Sequence, residues 1–169
     1  MQEPRDTMPA QDAVSFGWAL FEAIPDCVKL LDTDGTILAM NCNGRSAMEI
    51  DDVSLLRGQS WIAFWPAESH DAVRAALETA RAGGTGHLVA ACPTAKGTPK
   101  WWDVMVTRTA SGDGLRAHLL VISRDITQQR NASEEREQLL HKLQAANIES
   151  KRVVEQLRAS EERYRTLFD

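Results

Sequence analysis

The distribution of helix-breaking residues is the feature that most constrains the fold of this chain. All ten glycines lie between Gly17 and Gly114, and all six prolines lie between Pro4 and Pro99. Glycine and proline are the strongest breakers of helices, so the last 55 residues favour one uninterrupted helix. The remaining part is long enough, and apolar enough, to form one ordinary core. We therefore predict a turn-rich globular domain followed by a long helical tail.

The formal net charge is also distributed unevenly on the two sides of residue 127. Residues 128–169 hold eight Lys or Arg and eight Asp or Glu, so the first 127 residues carry the whole formal net charge of −5. Nucleic-acid binding needs a basic surface, which argues against a nucleic-acid partner. The chain has no long apolar run and no secretion-signal pattern, so we predict no membrane partner and a cytoplasmic location. The three cysteines have no C-x-x-C spacing and predict neither a disulfide framework nor a zinc ribbon.

Apolar periodicity predicts two strands and several helices in the first half. Residues 13–24 form an amphipathic helix, which could cover an outer sheet face around Trp101 and Met105 unless a second subunit does. Residues 26–32 and 36–41 form a β-hairpin, because the Asp34-Gly35 step between them suits a turn that needs positive φ. The segments then predicted are short helical pieces at 43–50 and 53–56, an aromatic-rich turn at 58–66, and a longer helix at 67–82 that ends at Gly83-Gly84.

The second half predicts three further strands, at 85–92, 99–109 and 117–124, with turns at 93–97 and 111–114. Two strands, several helices and three strands indicate an α+β fold with one antiparallel sheet and helices on one face. From Asp125 the sequence changes to helix formers. Either Asp125, with Gln128 completing a capping box, or Thr127 caps the tail helix.

The tail carries two nearly equivalent heptad seams, which indicate a coiled coil with a second copy of the chain. One seam runs through Leu139, Leu143, Ala146, Ser150, Val153, Leu157, Ser160, Tyr164 and Leu167. The other runs through Leu140, Leu143, Asn147, Ser150, Val154, Leu157, Glu161, Tyr164 and Phe168. Either one register is stable, or the coil shifts between the two. The apolar residues expected at the dimer interface are Leu139, Leu140, Leu143, Val153, Val154, Leu157 and Tyr164.

Three motifs, in this order of elements, resemble the PAS family of sensor domains. They are the segments 31–41 (LDTDGTILAMN), 96–104 (KGTPKWWDV) and 123–127 (SRDIT). The resemblance covers residues 13–127 and implies a PAS-like domain with a five-stranded antiparallel sheet. The loose polar stretch at 1–12 predicts a flexible N-terminus, and the heptad seams predict a coiled-coil signalling helix at 128–169. Residues 159–169 look like the start of a further PAS domain, which implies a larger sensor, with a histidine kinase favoured over a diguanylate cyclase.

PAS domains bind ligands or cofactors between the sheet and its helices, or act as dimerising relays without a ligand. Light-sensing members hold a flavin and use a Gly-Arg-Asn-Cys motif. Here the stretch is Gly58-Gln59-Ser60-Trp61, and Ser123 stands where those members place a glutamine, so flavin photochemistry is not expected. His70-Asp71 resembles the axial-histidine region of haem-binding members, which makes His70 the candidate ligand if haem is bound. We expect no cofactor, with haem as the alternative.

Alternate strand residues share a face, so the aromatic turn could line a pocket with the inner strand residues. The predicted lining is Trp61, Phe64, Trp65, His70, Trp102, Val104, Val106, Leu120 and Ile122. The competing interpretation is that these side chains only fill the core. No catalytic motif is present: His141 lacks a phosphoacceptor context, and Gly83–Gly86 precedes a strand rather than a helix.

The leading hypothesis is a sensory module without enzymatic activity. It dimerises and passes a signal through Asp125, Ile126 and Thr127 into the coiled coil, and so to downstream domains of the same chain. The alternatives are a haem- or small-molecule-binding sensor and a structural dimerisation spacer.

Overall fold

The computed structural model describes residues 9–109 and 116–168. The chain divides into two compact units after Thr127. The elements are α1 (Ala10–Ala23), β1 (Cys27–Leu31), β2 (Ile37–Met40), α2 (Cys42–Ala47), α3 (His70–Arg81), β3 (Thr85–Ala91), β4 (Trp101–Arg108), β5 (Leu119–Asp125) and α4 (Thr127–Phe168). Short 3-10 turns lie at Val53–Leu55, Trp61–Phe64 and Ala67–Ser69. The predicted turn at 111–114 lies outside the described residues. So does most of the predicted flexible segment 1–12, although Ala10–Asp12 already belong to α1.

The five strands form one antiparallel sheet in the order β2-β1-β5-β4-β3, which confirms the predicted α+β fold. The predicted hairpin joins β1 to β2. Its turn is stabilised by the Asp32 carboxylate, which accepts the backbone N–H groups of Asp34 and Thr36 at 2.9 Å each. Gly35 takes the positive φ of 92° that the turn requires.

Helix α3 packs on the inner face of the sheet through its apolar stripe. Val73, Ala76, Leu77 and Ala80 are all buried, as their spacing predicts. The helix lies so close to β3 that a Cβ atom on Gly86 would be 2.1 Å from the carbonyl oxygen of Ala76. The glycine therefore sets the distance between helix and sheet.

The inner face of β5 differs from the prediction. In the strand pairing, Val104 lies opposite Ser123 and Val106 lies opposite Val121, so these four side chains share the inner face. The alternate residues Leu120 and Ile122 are half-buried on the outer face. The prediction that Leu120 and Ile122 line an inner pocket is wrong, because it assigned β5 the opposite parity.

The outer face of the sheet is only partly covered. Val28 on β1 is fully buried, but Val89 and Met105 keep 45% and 46% of their surface exposed. Helix α1 forms as predicted, yet its apolar residues Val14, Phe16, Trp18 and Leu20 are also exposed. Cover of Met105 by α1 is therefore a wrong prediction for the single chain.

The second unit is the continuous helix that the missing breakers predict. Helix α4 has 42 residues, and a helix of this length extends about 63 Å. The seam residues are exposed on it: Leu139, Leu140, Leu143, Val153, Val154, Leu157 and Tyr164. Among residues 9–109 and 116–168, no helix is both long enough and apolar enough to span a bilayer.

Candidate functional site

The first unit contains an apolar cavity between the sheet and the aromatic 3-10 turn. The volume open to the centre of a water molecule is about 30 Å³, which is room for roughly two waters. Trp61 and Trp65 pack edge to face with ring centroids 5.7 Å apart. The indole Nε1 of Trp102 donates to the carbonyl of Cys92 at 2.9 Å. The cavity is lined by Lys29, Ile37, Met40, Met48, Ile50, Leu56, Trp61, Phe64, Trp65, Cys92, Trp102 and Ser123.

The structure brings together part of the predicted lining. Trp61, Phe64, Trp65 and Trp102 do line the cavity. Val104 and Val106 are fully buried in the same core but are not among the lining residues. Whether the four aromatic side chains contact a ligand stays a prediction.

His70 is placed differently from a haem ligand. Its Nε2 donates to the carbonyl of Trp65 at 2.9 Å, and its ring does not line the cavity. The nitrogen that would bind iron is therefore used in a bond between the 3-10 turn and α3. The cavity is also far smaller than the roughly 300 Å³ at which pockets for drug-sized ligands begin, so these residues do not fit a haem.

A flavin does not fit either. Trp61 occupies the position of the reactive cysteine of the light-sensing members, and it lines the cavity with a relative exposure of 2%. Ser123, at the position of the glutamine, is short and buried beneath the same cavity. The cavity of about 30 Å³ is also far too small for an isoalloxazine ring.

Two polar residues that line the cavity, Lys29 and Ser123, are absent from the predicted lining. Lys29 has a relative exposure of only 6%, and its ammonium donates to the thiol of Cys27 at 2.9 Å. Ser123 is buried as well, and its hydroxyl has no hydrogen-bond partner among the described residues. The sequence does indicate that Lys29 points inward, because alternate residues share a strand face and its neighbours on that face, Cys27 and Leu31, are apolar.

The thiol of Cys92 also borders the cavity. Burial raises its pKa, and the nearby charge of Lys29 only partly opposes this. A buried thiol with a raised pKa stays protonated and is a poor nucleophile. Cys92 therefore lines the cavity as a protonated thiol.

Asn41 anchors the end of α1 to the sheet. Its carboxamide oxygen accepts the N–H groups of Val28 and Gly44, the second as an N-cap of α2. Its Nδ2 donates to the carbonyls of Phe21, Ile24 and Asp26 at 3.0 to 3.2 Å. Sequence inspection missed this fully buried residue, although an asparagine directly before a short helix is a common cap.

A second cluster connects the cavity wall to the start of α4. The ammonium of Lys100 lies 5.5 Å from the ring centroid of Trp102 and donates to the carbonyl of Ala47 at 2.9 Å. It also pairs with the carboxylate of Asp125 at 2.8 Å. Lys100 thus contacts an aromatic cavity residue, α2 and the junction at once.

Residues 125–127 form hydrogen bonds with one another and with the backbone of Trp101, the first residue of β4. The Asp125 carboxylate accepts the N–H of Thr127, and the Thr127 hydroxyl accepts the N–H of Trp101, at 3.0 and 2.9 Å. Ile126 donates its N–H to the carbonyl of Trp101 at 2.9 Å. Burial raises the pKa of Asp125, but the bonds from Lys100 and Thr127 outweigh it, so the pKa lies below its ordinary value. The predicted capping role of Asp125 therefore has a direct structural basis.

Comparison with known proteins agrees with this architecture. A family model described as the PAS fold matches residues 21–131, so the chain belongs to the PAS family. It is a PAS sensory domain that carries a long C-terminal helix. No curated protein matches the chain.

Solved structures show the same fold. An RNA-binding light-oxygen-voltage receptor aligns with a TM-score of 0.64 at 11% identity, over 83% of this chain and 40% of its own. The PAS domain of an HTR-like protein from Haloarcula marismortui aligns with 0.53 at 25% identity, over 69% and 93%. A domain of a sensory box sensor histidine kinase/response regulator from Geobacter sulfurreducens aligns with 0.58 at 20% identity, over 70% and 99%.

Proposed function

We propose that this PAS domain dimerises through α4 and relays a signal from its interior cavity to an output domain that follows in the same chain. The carrying observation is the line of contacts from Trp102 through Lys100 to Asp125. Trp102 is buried, and the side chains of Lys100 and Asp125 are only 20% and 34% exposed. A change in the position of the cavity wall therefore alters the bonds at the first turn of α4.

The exposed seam of α4 supports dimerisation. An isolated helix in water gains little from its own backbone bonds, and most helices are stabilised by packing an apolar face. Leu139, Leu143 and Leu157 each expose more than half of their surface, at 58%, 66% and 61%. A second copy of the helix would bury all of them in a coiled coil.

The output domain is proposed from the chain's relatives and its last residues. Residues 159–169 resemble the start of another PAS domain, and the Geobacter neighbour comes from a sensor histidine kinase. We infer a histidine kinase as the output. Autophosphorylation of the full-length protein with labelled ATP tests this, and absence of phosphohistidine would contradict it.

Cysteine cross-linking of the 169-residue chain tests the relay. The exposed Cys42 is first replaced by serine, and Leu139→Cys, Leu140→Cys and Leu143→Cys are then made one at a time. Leu143→Cys is the matched control, since position 143 belongs to both seams. The ratio of cross-linking at 139 to that at 140 reports the register, and we expect Asp125→Ala to change it.

Two outcomes would contradict the proposal. A monomer in sedimentation velocity at tens of micromolar would exclude dimerisation through α4. A dimer whose 139-to-140 ratio is the same with and without Asp125→Ala would show that the junction does not control the coil, which contradicts the relay.

A further inference from the structure

The cavity combines an apolar wall with one buried positive charge. Lys29 lies on the inner face of β1, and its ammonium donates a hydrogen bond to the sulfur of Cys27. Among residues 9–109 and 116–168, no carboxylate forms an ion pair with Lys29. Buried charges in proteins are ordinarily paired, because removing an ion from water is costly. Lys29 therefore lacks the counter-charge that its burial calls for.

Ser123 supplies a second donor on the same face. It lies directly opposite Cys27 in the pairing of β1 with β5, two residues along β1 from Lys29. Its hydroxyl is buried and has no partner among the described residues. Since nearly all buried polar groups in folded proteins are hydrogen-bonded, a hydroxyl without a described partner, beside an ammonium that has a hydrogen bond but no described ion pair, needs an explanation.

We propose that the cavity binds a small monocarboxylate of about two or three carbons, such as acetate or propionate. The carboxylate accepts hydrogen bonds from the ammonium of Lys29 and the hydroxyl of Ser123, and it supplies the missing negative charge. The short alkyl group packs against Trp61 and Trp102. The volume open to the centre of a water molecule, about 30 Å³, is smaller than such an acid needs, so binding requires the flexible thioether side chains of Met40 and Met48 to move aside, and larger acids are excluded.

The carboxylate would be the input signal of the proposed relay, and only this role of the ligand rests on the proposed function. Binding in the cavity does not require α4 to dimerise or the junction to move. The two proposals can therefore fail separately: binding without a change in the cross-linking ratio contradicts the relay alone. A ratio that responds to Asp125→Ala without any binding contradicts the ligand alone.

Titration calorimetry of the 169-residue chain tests the ligand class, with propionate as the probe and tryptophan fluorescence as a second readout. The neutral isostere propionamide is titrated in parallel, and chloride keeps the ionic strength equal. We expect saturable binding of propionate and binding of propionamide weaker by about tenfold or more, because an ionic hydrogen bond is lost.

Variants locate the site. Lys29→Met should weaken propionate binding by about 10- to 100-fold, and Ser123→Ala by about 3- to 10-fold. Lys29→Met keeps the fold, since replacing a buried charge by an apolar chain of similar length is often neutral or stabilising. A urea midpoint of Lys29→Met equal to or above that of the parent confirms that the variant is folded. The matched control is Lys96→Met, at an exposed lysine paired with Asp51, which should bind propionate like the parent.

Three results would overturn the proposal. They are no saturable binding of propionate at tens of millimolar, equal affinities for propionate and propionamide, and undiminished binding by a folded Lys29→Met variant.

Discussion

Asp125→Ala is expected to destabilise the first unit while leaving it folded. The carboxylate caps the N–H of Thr127, and loss of such a cap costs about 1 kcal/mol. It also pairs with Lys100, and the two side chains are 34% and 20% exposed. A pair that is partly exposed contributes about 0.5 to 1 kcal/mol after solvent screening. The expected loss is about 1.5 to 2 kcal/mol of unfolding free energy, against a typical total of about 5 to 15.

Urea unfolding followed by tryptophan fluorescence measures this loss. All five tryptophans lie between Trp18 and Trp102, so the signal reports the first unit. Asp125→Asn keeps an oxygen for the cap and should lose only the ionic part, about 0.5 to 1 kcal/mol. Asp51→Ala removes an ion pair whose aspartate side chain is 84% exposed, and it should change stability by less than about 0.5 kcal/mol.

The pH dependence gives an independent check with a definite sign. The pKa of Asp125 is lowered in the folded state, so its ionised form stabilises the fold above its unfolded pKa of about 3.9. That stabilisation is lost as the pH falls through the lower, folded pKa. The difference in unfolding free energy between the parent and Asp125→Asn should be constant above about pH 5 and shrink below about pH 4. An Asp125→Ala variant as stable as Asp51→Ala at pH 7 would refute the reasoning.

Three further predictions concern packing and association. Gly86→Ala should lower the free energy of unfolding in urea by about 3 kcal/mol or more, because the new Cβ would collide with the Ala76 backbone. Gly17→Ala, at an open helical position, should raise it by about 0.5 to 1 kcal/mol. Equal effects of the two substitutions would contradict the packing argument. Asn41→Ala should cost about 3 kcal/mol or more by the same assay, since it leaves several buried backbone groups unpaired, and a loss below 1 kcal/mol would contradict its anchoring role. Leu143→Asp should convert a dimer to a monomer in sedimentation velocity without changing the urea midpoint of the tryptophan signal, and a persistent dimer would place the interface elsewhere.

Local patterns predicted the elements of this protein well because their causes are local. The Asp34-Gly35 step needs positive φ, and the hairpin follows wherever that step separates two apolar strands. The stripe on α3 and the unbroken α4 also follow from spacings of three and four residues within one helix. Asp125 could be identified as a cap because capping involves only the next few residues.

The composition of the cavity could not be predicted in the same way. Which face of β5 points inward depends on its pairing with β4, and a shift of one residue exchanges Leu120 and Ile122 for Val121 and Ser123. The contacts of Asn41 span up to 20 residues along the chain, and those of Lys100 up to 53. Such contacts exist only once the strands and helices have packed.

The sequence by itself determined the PAS order of elements, the α+β class and the division between a turn-rich domain and a helix without breakers, because propensity and periodicity act over a few residues. Only the tertiary structure decided that Lys29 is buried, with no carboxylate partner within the described part of the chain, and that Lys100 contacts both Trp102 and Asp125. Burial and charge pairing depend on which side chains meet across the sheet, and strand register sets that.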